Sequence, residues 1–422
     1  MLIHSAPQLL TLTPQPQRGH ELGTLNLLQD AAILIRDGKI AAIGSSHQLL
    51  AAYPNEPQFN ASKHAILPGF VDPHTHAIWA GDRAAEFEMR LQGKTYLEIL
   101  QAGGGILSTM RATRAASLQQ LIQETRPRLQ SMFRHGATTI EVKTGYGLET
   151  ETERKMLAAL LHLHREGPWE LAFTYLAAHA IPPEYTAAPD AYTQKICEEM
   201  LPDLREWWNA LAPQEPLPFV DVFCETGAFT LEQSRRILQA ARELGFPLKI
   251  HADEFDNLGG AALAAQLGAA SADHLVATSQ ADIETLAASS TVAVALPCTP
   301  FGLAESHYTP AKQIIAANGY LALATDLNPG TAWCENMQFP LALACRYMKL
   351  TPAQAIVAAT INAAAAIGRA ESIGSLQVGK QADLLLLTEP NYQHLGYRFG
   401  GNLVHTVVKK GVFYTNGDYD HA

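Results

Sequence analysis

Between residues 66 and 325 the chain alternates short apolar runs with longer amphipathic ones. The apolar runs fall at 66–76, 138–143, 171–179, 219–225, 248–251, 272–275, 292–296 and 321–325. Runs this short, bounded by turn residues and lacking a clean in–out alternation, read as strands buried on both faces. The stretches between them, such as 152–165, 231–244, 258–268 and 311–318, carry helical periodicity. Several have a start or stop signal, as at Thr230 and Gly245. Eight strand-then-helix units in series predict an α/β fold of the (β/α)8 barrel type rather than an open sheet.

The two ends follow a different rule. Residues 32–35 and 40–43 flank Asp37-Gly38-Lys39, a tight hairpin signature. Near the C-terminus, 382–387 and 404–409 precede Lys410-Gly411 and a further apolar run at 412–414. These β-rich ends are expected to meet as one small β-sandwich built from 1–65 and 367–422, leaving 66–366 as the catalytic barrel. A helix over 351–367, with Thr351 as cap and Pro352 at its first position, is expected to finish the barrel.

A chain of 422 residues suits a large barrel with an accessory domain. Its formal charge of −11 argues against a nucleic-acid partner, whose phosphates call for clustered Lys and Arg. No apolar run reaches the roughly 18 residues of a membrane span, and no leader pattern is seen at the start. Cys197, Cys224, Cys298, Cys334 and Cys345 are scattered without Cys-x-x-Cys pairing. A soluble cytoplasmic protein acting on a small molecule is the expectation.

The chemistry concentrates at strand ends. In Pro68-Gly69-Phe70-Val71-Asp72-Pro73-His74-Thr75-His76, residues two apart on a strand share a face, so His74 and His76 project together. At the C-terminal end of a first barrel strand that face is the catalytic mouth. His251 ends the fifth strand, His274 the sixth and Asp326 the eighth. Imidazoles and a carboxylate with no competing thiolate set suit Zn2+ or Fe2+/Fe3+. Asp326 can serve both as ligand and as acceptor for a metal-activated water.

This pattern resembles the amidohydrolase superfamily, and the likeness covers nearly the whole chain. It includes the 68–76 run, His251, His274, Asp326 and the tail Gly374-Ser375-Leu376-Gln377-Val378-Gly379-Lys380-Gln381-Ala382-Asp383. The resemblance implies a metal-bearing barrel with a sandwich made of both termini, and His74, His76, His251 and Asp326 as ligands. Two-metal members carry a carboxylated lysine on strand four. Here 219–225 has none, which favours a single ion, with Glu225 as the residue able to support a second. Glu254, three residues after His251, matches the proton-shuttling glutamate of mononuclear relatives, and His274 the group that polarises the carbonyl.

Further segments narrow the likeness to a branch that opens the ring amide of a small heterocycle bearing a propionate tail. They are Trp79–Arg83, Lys143-Thr144-Gly145-Tyr146-Gly147, His179, Asn328-Pro329-Gly330-Thr331, 93–96 and 104–109. By that resemblance Arg83 and Tyr146 hold the carboxylate, while His179, Glu254, Asn328, Gly330 and Thr331 surround ring and tail. Tyr96 is a further candidate for the tail, and Lys143 is either a substrate contact or a structural ion pair. A homodimer is implied. The competing reading is a mononuclear aminohydrolase of a purine- or pyrimidine-like heterocycle, which shares the ligands, Glu254 and His274.

Overall fold

The computed structural model describes residues 1–94, 98 and 104–415. Tyr96, Thr95 and Gly103 lie outside the described residues, as does 416–422 of the expected C-terminal segment. The chain folds as an α/β barrel of eight parallel strands with flanking helices, joined to two sheets built from its ends.

The barrel strands follow one another in space as in sequence. They are Phe70–Asp72, Ala137–Lys143, Glu170–Ala178, Phe219–Cys224, Lys249–Ala252, Ser271–His274, Val292–Ala295 and Leu321–Leu323. All four residues of Lys249–Ala252, Ser271–His274 and Val292–Ala295 are buried, as strands covered on both faces require. The ring closes just beyond the first and eighth strands. Asp326 N donates to the His74 carbonyl at 3.1 Å and His76 N to the Leu327 carbonyl at 2.8 Å.

Two elements differ from the sequence expectation. The run at 66–76 is two strands. Ala65–Pro68 pairs with Leu384–Leu387 in a terminal sheet, and only Phe70–Asp72 enters the barrel. The chain crosses over at Gly69, where a Cβ would stand 2.4 Å from Thr138 Oγ1, so no larger residue fits the crossover. The helix expected over 351–367 is also divided, into Pro352–Ala358 and Ile361–Ala366. Thr351 and Gln354 form a reciprocal cap at its start. The break frees the Ala359 carbonyl to accept Val71 N at 3.0 Å, bonding the helix pair to the first barrel strand.

The terminal sheets explain a run that periodicity alone leaves ambiguous. In Leu384–Leu387, Leu384 and Leu386 join Ile3, Ile33, Ile35, Ile66 and Val408 in the core between the sheets. Leu385 and Leu387 face the opposite way, into the main core shared with the barrel. Four consecutive leucines therefore serve one strand with two apolar faces. No helix among the described residues is long and apolar enough to cross a membrane.

A buried ion-pair cluster fastens the terminal sheet to the barrel. Lys409 Nζ lies 2.7 Å from Asp383 and 2.8 Å from Glu170, at the start of barrel strand three. Lys409 and Asp383 are each 3% exposed. Removing the ammonium leaves Asp383 buried without its cation, so Lys409→Ala should destabilise the fold by about 3–5 kcal/mol in urea unfolding. A loss within about 0.5 kcal/mol, the size of an exposed pair, would refute this anchoring role.

Candidate active site

The strand ends expected to carry the chemistry converge in one place. The ligand atoms of His74, His76 and Asp326 lie within 4.8 Å of one another, as do those of His74, His251 and His274. His251 Nε2 is 3.3 Å from His76 Nε2, and Asp326 Oδ1 is 3.4 Å from His74 Nε2 and 3.6 Å from His76 Nε2. Ligands about 2.0–2.1 Å from a tetrahedral Zn2+ stand roughly 3.3 Å apart, so this spacing fits a single ion.

The hydrogen bonds behind the imidazoles fix their tautomers in the sense a metal needs. His74 Nδ1 donates to Asp273 Oδ2 at 2.6 Å, and His251 Nδ1 to Asp221 Oδ1 at 3.1 Å. The Nε2 lone pairs are thereby turned inward. His74 Nε2 and Asp326 Oδ1 are buried and have no hydrogen-bond partner among the described residues. Two acceptor atoms facing each other at 3.4 Å would repel, and a cation between them removes the conflict. Burial also pushes His74, His76 and His274 well below the usual imidazole range, which keeps them neutral and able to ligate. The cluster thus suits a metal ion.

Glu254 and His274 sit beside this cluster, with Glu254 Oε2 3.7 Å from His274 Nε2. Burial, then the negative charges of Asp326 and Glu225, raises the Glu254 carboxyl well above its ordinary range. Asp326 is pushed up to about 6 by burial, against the opposing hydrogen bond from the Thr299 hydroxyl. Asp253, His274 and Asp326 all have positive φ, at 55°, 80° and 54°. The chain turns sharply there, in a conformation that costs non-glycine residues energy, where it leaves strands five, six and eight. Glu254, Phe255, His274, Thr299, Leu303 and His307 line a cavity of about 390 Å3.

The residues expected around a substrate surround the cluster from other loops. His179 stacks on His76 with ring centroids 4.8 Å apart, and its Nδ1 donates to the Gly145 carbonyl at 3.1 Å. Burial, with the nearby His251, brings His179 down to about 3, so it is neutral. Tyr146 packs tilted against both rings, its centroid 5.4 Å from that of His179 and 6.0 Å from that of His76. Gly145 has φ +106°, and a Cβ there would stand 2.9 Å from His179 Nδ1. Arg83 pairs with Glu86 through Nε at 2.8 Å and Nη2 at 2.7 Å, which turns its Nη1 edge toward Gly330. Asn328 uses its amide within its own loop, accepting from Gly330 N and Thr331 N at 2.8 Å each and donating to the Asp326 carbonyl at 2.7 Å.

Several buried carboxylates shape the site, and of these Glu153, Glu141, Asp221 and Asp273 were not picked out from the sequence. Glu153 accepts from Gly145, Gly147 and Leu148 N and so holds the loop carrying Tyr146. Glu225, considered above as support for a second ion, instead accepts from Thr226 N at 2.8 Å, Phe255 N at 3.0 Å and Asp256 N at 3.2 Å. It thereby holds the loop that carries Glu254. Lys143, left open between two roles, is wholly buried among Glu141, Asp221 and Asp273. The one available signal was a charged residue inside an apolar strand, as in Val220-Asp221-Val222 and Ile140-Glu141-Val142.

The chain matches the amidohydrolase family model over residues 65–413 and, over 31–55, a model described as an imidazolonepropionase-like composite domain of bacteria. It is 51% identical to the imidazolonepropionase of Herpetosiphon aurantiacus, across 97% of this chain and 96% of that one. It is 47% identical to the imidazolonepropionase of Chloroflexus aggregans, across 97% of each. Its fold is similar to a zinc-bound adenosine deaminase from Xanthomonas campestris (TM-score 0.72, 20% identity, 99% and 93% of the two chains covered). It is also similar to Escherichia coli guanine deaminase (TM-score 0.73, 14% identity, 98% and 99% covered).

Glu225→Ala should release the amides of Phe255 and Asp256. A hydrogen bond to a charged group contributes about 1.5–3 kcal/mol, so their hydrogen exchange should quicken by roughly 10- to 100-fold. Metal content should stay unchanged. Loss of one ion per chain would instead make Glu225 a ligand.

Proposed function

The chain belongs to the amidohydrolase family, in its imidazolonepropionase branch, and on that premise we propose that it hydrolyses 4-imidazolone-5-propanoate to N-formimidoyl-L-glutamate in histidine degradation. The observation that carries the proposal is the placing of Arg83 against the Gly330 loop, with Tyr146 packed on His76. A carboxylate-binding pair beside a metal cluster suits a small heterocycle with an anionic tail, and a purine or pyrimidine base has no such tail.

In this reading His74, His76, His251 and Asp326 hold one ion, Zn2+ or Fe2+/Fe3+. The chemistry such an ion supplies when bound is a water acidic enough to attack as hydroxide near neutral pH. Arg83 and Tyr146 hold the propionate and so fix which ring atom faces the cluster. His179, Gly330 and Thr331 enclose the ring and the tail, with Asn328 shaping the loop that bears the last two. His274 faces the ring carbonyl and stabilises the negative charge that develops there. Glu254 takes the proton released from water and delivers it to the ring nitrogen as the amide C–N bond breaks. Its burial beside Asp326 supports that role, because a carboxyl with a raised pKa both accepts and returns a proton readily.

The proposal extends to domain organisation and setting. The catalytic unit is the barrel, entered at Gly69 rather than at 66 and running to 366, the accessory sheets come from 1–68 and 367–422, and the enzyme is a cytoplasmic homodimer free of nucleic acid and membrane.

The deciding experiment follows freshly generated 4-imidazolone-5-propanoate by loss of ring absorbance and appearance of N-formimidoylglutamate, before and after metal is stripped and restored. Metal-dependent ring opening is expected. Ammonia release from guanine or cytosine, without ring opening, would transfer the assignment to an aminohydrolase. Arg83→Ala should impair substrates bearing the carboxylate tail far more than tail-less imidazolones, and equal losses would remove the anchor. Glu254→Gln should retain metal but lose about 10²–10⁴-fold in turnover. Near-normal turnover there would exclude the shuttle.

A further inference from the structure

The ammonium of Lys143 lies beneath the ligand cluster at the end of barrel strand two, with no exposed surface. It is 2.8 Å from Glu141 Oε1, 2.8 Å from Asp221 Oδ2 and 3.7 Å from Asp273 Oδ2. Each of these carboxylates has a second task. Asp221 accepts from His251 Nδ1, and Asp273 accepts from His74 Nδ1. Glu141 Oε2 accepts from Thr75 N at 3.1 Å, the peptide between His74 and His76. The Lys143 backbone N–H meets the same residue from the other side, donating to the Thr75 carbonyl at 2.9 Å.

We infer that Lys143 is a positioning residue for the metal site, one ammonium tying together the supports of His74, His76 and His251. This rests on the metal-site reading above and adds to it a group that touches neither ion nor substrate. A substrate contact is a poor alternative, because the side chain has no exposed surface and its ammonium donates to Glu141 and Asp221 with Asp273 close by. The other buried ammonium nearby, Lys249, is not equivalent. It lies 3.7 Å from Asp273 but bonds the Pro73 and Ala366 carbonyls.

The physical argument turns on two opposed effects. A cation close to a metal site repels the metal, so removing Lys143 should tighten metal binding if charge alone mattered. Without the ammonium, however, three carboxylates are left crowded in a dry interior. They relieve that crowding by turning apart. Turning withdraws the acceptor that holds an imidazole in its ligating orientation. Outer partners of metal ligands typically govern about 10- to 100-fold in metal affinity. The geometry points to orientation as the larger effect, because each carboxylate meets the ammonium and also holds an imidazole or the peptide between two ligands.

The test measures Zn2+ affinity by chelator competition and records the visible spectrum of the Co2+-loaded protein. Lys143→Met should weaken Zn2+ binding by about 10-fold or more and alter the Co2+ bands. Affinity equal to or tighter than wild type would overturn the proposal. Asp221→Asn should weaken binding too, and the double variant should lose less than the sum of the two single losses, because part of the effect of Lys143 passes through Asp221. Additive losses would mean independent action and would also overturn it. Should Lys143→Met not fold, Glu141→Gln replaces it, since it keeps the shape but weakens the hold on the ammonium. Reduced affinity then supports the proposal, and wild-type affinity refutes it. Wild-type protein that takes up no Zn2+, or takes it up equally after His74→Ala, removes the metal-site reading itself. That result is distinct from an intact wild-type site that is indifferent to Lys143.

Discussion

The hydrogen bonds that close the barrel, from Asp326 N to the His74 carbonyl and from His76 N to the Leu327 carbonyl, also bring the ligand set together. The residues that complete the ring are the residues that converge on one point inside it. Asp72 reinforces the same seam, accepting from both the backbone and the hydroxyl of Thr325. A change that opened the seam would therefore separate His74 and His76 from Asp326. Stability and ligand geometry share these bonds, and selection on either acts on both.

Around that seam the interior holds many buried charges for a barrel core. Asp72, Glu141, Asp221, Asp273, Lys143 and Lys249 are all nearly or wholly buried. An apolar filling would serve stability as well or better, since ion pairs rarely repay their desolvation. Their arrangement has another consequence. Each carboxylate accepts from an imidazole, a hydroxyl, a peptide N–H or a lysine, so the side chains above them have little freedom to turn. The same device recurs in the loops. Glu153 holds the Tyr146 loop, Glu225 the Glu254 loop, and Asn328 its own turn at Gly330 and Thr331. Glu86 both fixes Arg83 and accepts from Gly105 N. Irregular segments become rigid where a buried acceptor gathers their backbone N–H groups, and a reaction that depends on fixed distances needs that rigidity.

Much of this molecule could be read from local pattern. Short wholly apolar runs alternating with amphipathic ones identified the barrel, and strand periodicity aimed His74 and His76 at one face. His251, His274 and Asp326 declared themselves by lying at the ends of such runs. The errors fell where a local signal served two structures. The apolar run at 66–76 crosses from a terminal sheet into the barrel at Gly69, and the helical pattern at 351–367 breaks so that Ala359 can bond to Val71. Neither partner is a sequence neighbour.

The sequence by itself determined which residue types stand at each strand end, because side-chain direction along a strand depends only on a two-residue period. Tertiary structure alone decided which carboxylate backs which imidazole. Asp273 reaches His74 from strand six, Asp221 reaches His251 from strand four, and Lys143 stands among them from strand two. Those pairings follow from the stagger of strands around a closed ring, which no single strand encodes. Glu225 shows the same division. Its place at the end of strand four was legible as a potential ligand, but only the folded chain brings the amides of Phe255 and Asp256 within reach of its oxygens.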